Sequence, residues 1–151
     1  MITKIIKNGK IIKRYFISGH RNITQEDFEK YYAKILNKIE SEYKKSTKTF
    51  NFIYEEPHYV IGDYEGVDTM AQDYLAYNLN VDPNRVTIYH MGDYPMNCAN
   101  DKFLRIGGFA TDDARDEAMT MNSDEDIAYV YSEKDWSGTS QNILRRFKMN
   151  K

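Results

Sequence analysis

The sequence predicts an α/β protein with a three-layer sandwich, in which helices cover both faces of a mainly parallel sheet that starts with an N-terminal β-hairpin. Two observations support this prediction. Segments rich in Ile, Val and Tyr alternate with segments whose apolar residues recur at helical spacing, the order typical of parallel sheets. Several predicted strands also end directly in glycine-containing turns, as strand–turn–helix units do.

The size and charge of the chain limit its class. The 151 residues fit one domain, residues 1–151, with a core of its own. The near-balanced formal charge of -2 argues against a surface devoted to nucleic acid or membrane. The single cysteine, Cys98, excludes an intramolecular disulfide. Because neither a signal peptide nor a long apolar run is present, we expect a cytoplasmic protein without membrane contact.

The first predicted elements are a hairpin and a capped helix. Residues 2–6 and 11–17 flank a turn at Asn8-Gly9, a strong hairpin signal because both residues tolerate a positive φ. Thr24 is expected to cap the first helix, with Asp27 in its first turn. The apolar stripe of this helix is predicted to contain Phe28, Tyr31, Tyr32, Ile35, Leu36 and Ile39.

The next strand is predicted at residues 50–54 or 59–61, which are split by Pro57 because proline cannot take part in a central ladder. Residues 59–61 are favoured as its core end. A helix over residues 68–79 and a strand over 85–89 follow. Residues 90–110 lack any clear period and are predicted to form a long irregular connection. A helix over 112–121, a strand over 126–131 and a final helix after a turn at 136–139 complete the pattern. The alternation indicates a Rossmann-like fold.

Three predicted strand ends carry small residues at what should be one edge of the sheet. They are Ser18-Gly19, the turn from Gly62 to Gly66, and Ser137-Gly138-Thr139. Ligands of open α/β sheets bind at the carboxyl ends of the strands. Helix N-termini there present unpaired amides to a phosphate, and glycine allows the backbone to approach it closely. The sequence therefore predicts a site for a nucleotide-like ligand.

Four segments resemble the SLOG superfamily. Residues 62–71 (Gly-Asp-Tyr-Glu-Gly-Val-Asp-Thr-Met-Ala) are similar to its Gly-x-x-x-Gly-Val-Asp-x-x-Ala segment, and residues 18–21 to its first-strand turn. Residues 115–119 resemble its Arg-Asn-x-x-Met helix start, and the path from residue 126 to 139 resembles its final Gly-Thr turn. The order and spacing hold over roughly residues 15–147. The YspA-like branch is the most similar, with the LOG-type phosphoribohydrolases and the DprA Rossmann domain as further members.

The resemblance implies a Rossmann-like domain that binds a nucleotide or a nucleotide-derived signal. Glycine turns would meet phosphate, Ser18 and Arg21 would line the opposite wall, and Arg115 would act as a charge-assisted donor. The alternatives are a surface pairing of Arg115 with Asp112 or Asp116 and a solvated loop position for Arg21. His20 is the only histidine of interest near the site, whereas Tyr64 and Trp136 could stack on a base or serve the core. The ligand-binding residues expected are Ser18, Gly19, His20, Arg21, Gly62, Asp63, Gly66, Val67, Asp68, Arg115, Met119, Ser137, Gly138 and Thr139.

One departure from the family bears on catalysis. The LOG-type hydrolases carry a catalytic Glu after their Gly-Thr turn, and this chain has Asn142 there, which cannot ionise. Asp63 and Glu65 are the alternative carboxylates, as ribose ligands, magnesium ligands or a base, and their ordinary role would be turn formation. Asp68 is expected to cap its own helix. No cofactor is required, although a magnesium ion could accompany a phosphate ligand.

Three functions follow from these patterns, in descending order of support. The first is binding or sensing of a nucleotide-like small molecule, and the second is hydrolysis of an N-glycosidic bond in a nucleoside monophosphate. The third is DNA binding, through basic residues of the two ends that would form a patch if the ends meet: Lys4, Lys7, Lys10, Lys13, Arg14, Arg145, Arg146, Lys148 and Lys151. The balanced charge disfavours nucleic acid as a partner, and the Tyr-rich helix faces suit a homo-oligomer.

Overall fold

A computed structural model gives the fold and describes residues 6–7, 9–48, 53–131 and 137–149. One sheet contains the strands β1 (Ile6–Lys7), β2 (Lys10–Ile17), β3 (Tyr54–Ile61), β4 (Val86–Met91), β5 (Leu104–Phe109) and β6 (Glu125–Ile127). The helices are α1 (residues 25–46), α2 (residues 67–78), α3 (Asp112–Met121) and α4 (Gly138–Lys148), with a 3-10 turn at Pro83–Arg85. Trp136, Asn8 and residues 2–5 lie outside the described residues.

Five strands run parallel in the order β6, β2, β3, β4, β5. Within the sheet Phe16 pairs with Val60 on one side and with Asp126 on the other. The predicted fold class, a Rossmann-like sandwich with a mainly parallel sheet, is confirmed. The short β1 pairs antiparallel with the start of β2, with Ile6 opposite Ile11. Most of the predicted first hairpin arm lies outside the described residues.

The larger core lies between the sheet and helices α1 and α2. Its fully buried members include Ile17 and Ile61 from the strands and Leu36 and Leu75 from the helices. Because alternate strand residues face opposite sides of a sheet, the neighbours of these strand residues form a smaller core against α3. That second core contains Phe16, Val60, Tyr89 and Met119.

Helix α1 begins as predicted and then departs from the expected period. The Thr24 hydroxyl accepts a hydrogen bond from the Asp27 amide at 3.1 Å, which confirms the cap. The segment Glu29–Ala33 is π-helical, so more residues pass per turn than in an α-helix. The buried positions include Phe28, Tyr32, Leu36 and Glu40, four residues apart, and Ala33 is buried as well. The prediction that Ile35 faces the core is wrong, since its side chain is 42% exposed.

Strand β3 passes through Pro57, so the prediction that this proline splits the segment is wrong, whereas the predicted core end at residues 59–61 lies within the strand. Pro57 pairs with Lys13 of β2, whereas β4 pairs with β3 only from Tyr59 onward. The Pro57 carbonyl accepts a hydrogen bond from Arg85, which lies on the β4 side. The N–H that proline lacks would point to the β4 side, where β4 does not yet pair with β3. The strand therefore tolerates Pro57.

The predicted irregular connection at residues 90–110 contains strand β5, so that prediction is wrong for Leu104–Phe109. This strand is the edge of the sheet, and all of its residues except Phe109 are exposed. An edge strand with little burial shows no alternation of apolar and polar residues, and the pair Gly107-Gly108 weakens the signal further. The last strand is also shorter than predicted, because only Glu125–Ile127 pairs with β2.

Candidate functional site

The three glycine turns meet at the carboxyl edge of the sheet. Ser18 follows β2, Gly62 follows β3, and Gly138 begins α4, which follows β6. With the first turn of α3 they enclose a cleft of about 360 Å³. The predicted site residues that line it are Ser18, Gly19, His20, Arg21, Gly62, Glu65, Asp68, Arg115, Met119, Ser137, Gly138 and Thr139.

Three predicted site residues, Asp63, Gly66 and Val67, support the wall of the cleft from behind. The amide of the fully buried Val67 donates to the His20 carbonyl at 3.2 Å, which ties the second glycine turn to the first. Gly66 has a φ of +83°, which favours glycine. These residues fix the position of the turns rather than facing the cleft.

Ser18 places a buried hydroxyl in the cleft wall. Its side chain is 6% exposed, and among the described residues its Oγ has no hydrogen-bond partner. A buried hydroxyl without a partner loses hydration without compensation. A polar ligand group in the cleft would supply the missing bond.

Arg115, on the first turn of α3, is the buried cation of the cleft. It is 3% exposed, and its Nη2 lies 3.2 Å from Asp116 and 3.8 Å from Asp112. Its Nη1 lies 3.5 Å from Asp63 and makes no hydrogen bond within the described structure. The guanidinium is therefore oriented by carboxylates but keeps donor capacity for a ligand.

Tyr64 contacts both arginines of the cleft. The guanidinium carbon of Arg21 lies 4.1 Å from the centre of the Tyr64 ring, and that of Arg115 lies 4.5 Å away. The Tyr64 hydroxyl donates a hydrogen bond to Asp112. Both cations thus gain a cation–π contact, and the ring links the second glycine turn to α3. Sequence reasoning proposed base stacking or core packing for Tyr64 and missed this arrangement.

Asp63 fixes a long loop to the cleft wall. Its carboxylate accepts a hydrogen bond from the Met96 amide at 2.7 Å, and its carbonyl accepts one from the Asn97 side chain at 2.9 Å. The side chain is 2% exposed. Asp63 therefore joins the loop after β4 to Arg115, a role that follows from distant contacts and that its turn position did not reveal.

Asp68 does not cap its own helix, so that prediction is wrong. The N-cap of α2 is Gly66, and the Asp68 carboxylate instead accepts a hydrogen bond from the Tyr64 amide at 3.2 Å. The carboxyl lines the cleft but is closely enclosed by protein atoms. This burial raises the pKa of Asp68 to about 7, although the Tyr64 amide and Arg115 favour the charged form.

We expect the raised pKa of Asp68 to make stability depend on pH. Since the folded state holds the proton more tightly than the unfolded chain, this group reduces stability as pH rises from about 4 to about 7. The Asp68→Asn variant should lack this loss. Unfolding by urea at several pH values measures it, and parallel curves for the two proteins between pH 4 and 7 would contradict the assignment.

The start of α4 forms the third wall. Ser137 caps the helix, with its hydroxyl accepting from the Ser140 amide at 3.4 Å, and Thr139 is buried. The first N–H groups of a helix have no partners within it, so this turn presents donors and a partial positive charge. Asn142, which lines the cleft, accepts a hydrogen bond from Arg145 through its side-chain oxygen at 2.6 Å.

The acidic residues outnumber the cations around the cleft. Arg21 and Arg115 face Glu65, Asp68, Asp112 and Asp116 in the lining. Within the described residues no three His, Cys, Asp or Glu side chains are arranged to hold a metal ion. An anion in the cleft would therefore depend on individual donors, such as Arg115, Ser18 and the first amides of α4, because the cleft has no excess of positive charge.

Four basic residues of the two chain ends are paired with acids. Lys10 and Lys13 of β2 lie 3.1 Å from Glu56 and 2.8 Å from Glu125. In α4, Arg145 contacts Asp113 at 2.6 Å and the buried Arg146 contacts Asp126 at 2.8 Å. Lys4 and Lys151 lie outside the described residues. The positive charge of Lys10, Lys13, Arg145 and Arg146 is therefore offset by neighbouring carboxylates.

No family model, curated protein or solved structure matches this chain. The fold and the cleft thus define it as a Rossmann-like α/β protein with a ligand-sized site at the carboxyl edge of its sheet. Within the described residues, no helix is both long and apolar enough to cross a membrane.

Proposed function

We propose that this chain binds a nucleotide or a nucleotide-derived ligand in the cleft. Two buried polar groups, Ser18 Oγ and Arg115 Nη1, carry the proposal, because neither makes a hydrogen bond among the described residues, although Nη1 lies 3.5 Å from Asp63. Both residues line a cleft that is bounded by the start of α4. Both groups suit an anionic oxygen, which accepts several hydrogen bonds at once. The likeness of four segments to the SLOG superfamily supports the same ligand class.

The phosphate would lie between Arg115 and the first turn of α4, where Gly138 and Thr139 line the cleft. Helix N-termini bind phosphate through free amides and the helix dipole. Because Asp68, Asp112 and Asp116 oppose a polyanion, a ligand with several phosphates would bring a magnesium ion to offset their charge. A monophosphate needs no such ion.

Removal of the buried cation should weaken binding most clearly. A lost charge-assisted hydrogen bond costs about 1.5–3 kcal/mol, so Arg115→Ala should weaken affinity at least about tenfold. Thermal shift with nucleoside mono-, di- and triphosphates, dinucleotides and cyclic nucleotides, each with and without magnesium, measures this. Arg105→Ala is the control, because Arg105 is exposed on β5 and does not line the cleft.

A second variant separates binding from folding. Since Ser18 Oγ has no hydrogen-bond partner among the described residues, Ser18→Ala should keep the stability of the wild-type protein. Its affinity for the same ligands should be lower. A panel in which no nucleotide shifts the wild-type melting temperature would overturn the proposal. Equal affinities of wild-type protein and both cleft variants would also contradict it.

Hydrolysis of an N-glycosidic bond is the second candidate, and Asp68 is the observation that favours it. Enzymes of this kind use a carboxyl group to protonate the leaving group or to stabilise the positive sugar. A pKa of about 7 for Asp68 provides both protonation states near neutral pH. The two carboxylates that the sequence offered as catalytic candidates have other surroundings. Glu65 is exposed in the cleft lining, and Asp63 is held by Met96 and Arg115. Chromatography of the same samples tests this hypothesis. Release of free base by the wild-type protein but not by Asp68→Asn would indicate hydrolysis that depends on Asp68.

A further inference from the structure

His20 carries an aromatic ring at the wall of the cleft. Its imidazole stacks on the ring of Tyr131, with ring centres 4.8 Å apart and an angle of 30° between the planes. Tyr131 itself lies outside the cleft lining and is 45% exposed. One face of the imidazole is therefore covered by Tyr131, and the stack extends from the cleft to the protein surface.

Neighbouring groups hold the Tyr131 ring in place. The Tyr131 hydroxyl donates to the Asp27 carboxylate at 3.0 Å. Tyr129 meets the Tyr131 ring edge-on at 5.5 Å and stacks on Tyr31 at 3.6 Å with nearly parallel planes. The support for His20 is thus a row of packed rings and not a single mobile side chain.

Two hydrogen bonds tie this row to the floor of the cleft. The Tyr129 amide donates to the Tyr32 hydroxyl at 3.0 Å, and that hydroxyl donates to the Ser18 carbonyl at 2.8 Å. Ser18 and His20 belong to the same glycine turn. The aromatic row and the polar donors of the cleft are therefore held in one fixed arrangement.

We propose that the imidazole of His20, supported by Tyr131, is the surface on which the base of the bound nucleotide stacks. This inference rests on the proposed function. Aromatic rings stack on the faces of nucleobases, and a ring that is already ordered loses little entropy when it does so. The phosphate at Arg115 and the base at His20 would lie in the same cleft, since both residues line it. The site then favours a nucleotide over a sugar phosphate and, because every base has a stacking face, discriminates little among bases.

The experiment compares ligands with and without a base by isothermal titration calorimetry. The probes are ribose 5-phosphate and the 5′-monophosphates of adenosine, guanosine, cytidine and uridine. Wild-type protein should bind the nucleotides about tenfold more tightly than ribose 5-phosphate. In His20→Ala this difference should disappear, with ribose 5-phosphate affinity unchanged. His20→Phe should retain the difference, because the stacking ring is preserved.

The support from Tyr131 is tested by a matched pair. Tyr131→Leu should reduce the preference for nucleotides over ribose 5-phosphate several-fold. Tyr131→Phe keeps the aromatic ring and should retain this preference. Tyr94→Leu is the control, since this tyrosine is 82% exposed on another loop and does not line the cleft.

Two outcomes overturn the inference in different ways. If nucleotides and ribose 5-phosphate bind equally, or His20→Ala weakens all of them alike, the stacking role is wrong and phosphate binding stands. If neither ribose 5-phosphate nor any of the four nucleotides binds the wild-type protein, nucleoside monophosphate binding fails and the stacking role fails with it.

Discussion

Replacement of Glu40 by alanine is expected to lower the free energy of unfolding by about 3–5 kcal/mol, because it leaves a buried arginine without its counter-charge. Glu40 of α1 and Arg85, just before β4, are 3% and 8% exposed. The Nη2 and Nη1 atoms of Arg85 donate to the Glu40 carboxylate at 2.6 and 2.9 Å. This two-point geometry is the favourable one for arginine and a carboxylate.

Two further groups complete the network around this ion pair. The Tyr59 hydroxyl donates to the Glu40 carboxylate at 2.6 Å, and Arg85 also donates to the Pro57 carbonyl at 2.9 Å. Burial and the charge of Glu40 both raise the pKa of Tyr59, which keeps this donor protonated. Loss of Glu40 would therefore leave a cation and a hydroxyl unpaired in the core.

Urea unfolding followed by far-UV circular dichroism measures the effect of the Glu40 substitution. Glu42→Ala on the same helix is the matched control, and we expect a change within about 0.5 kcal/mol because Glu42 is exposed. A double variant, Glu40→Met with Arg85→Met, should recover most of the loss, since an apolar pair needs no counter-charge. Equal stabilities of Glu40→Ala and Glu42→Ala would show that the ion pair contributes nothing.

The sequence predicted those elements whose signals are local. The cap at Thr24, the helix from Asp112 to Met121 and the glycine turns at one sheet edge all follow from spacing within a few residues. Parallel strands necessarily bring their carboxyl ends together, so the convergence of the predicted site residues followed from the fold class alone.

The remaining features depend on contacts between distant parts of the chain. Asp63 accepts from Met96, 33 positions away, and Glu40 pairs with Arg85, 45 positions away. Glu40 lies on a charged helix, and its burial is not evident until the π-helical segment and the position of Arg85 are known. Of the three aspartates around Arg115, Asp112 and Asp116 lie on the same helix and follow from local spacing, whereas the contact with Asp63 joins two distant parts of the chain.

Gly66 is the residue on which the geometry of the cleft depends most directly. Its φ of +83° lies in the region that side chains disfavour. A Cβ at this position would also collide with the carbonyl oxygen of His20 and lie 2.5 Å from the Cα of Arg21. These are backbone atoms, so the first glycine turn would have to move as a whole.

We expect Gly66→Ala to lower the free energy of unfolding by about 2–4 kcal/mol, since backbone strain and the clash add together. The shift of His20 and Arg21 should also abolish nucleotide binding, even at temperatures where the variant is folded. Urea unfolding and calorimetry with the four nucleoside monophosphates measure the two effects separately.

Gly108→Ala isolates the contribution of the clash. Gly108 has a similar φ of +87°, but a Cβ there would meet no atom of the described residues within 4 Å. This variant should therefore lose only about 1 kcal/mol and should bind ligand normally, because β5 does not reach the cleft. If Gly66→Ala is no less stable than Gly108→Ala and keeps nucleotide affinity, the contact between the two glycine turns does not control the cleft. Retained stability with lost binding would show that a shift of the first glycine turn alters the cleft without a cost to the fold.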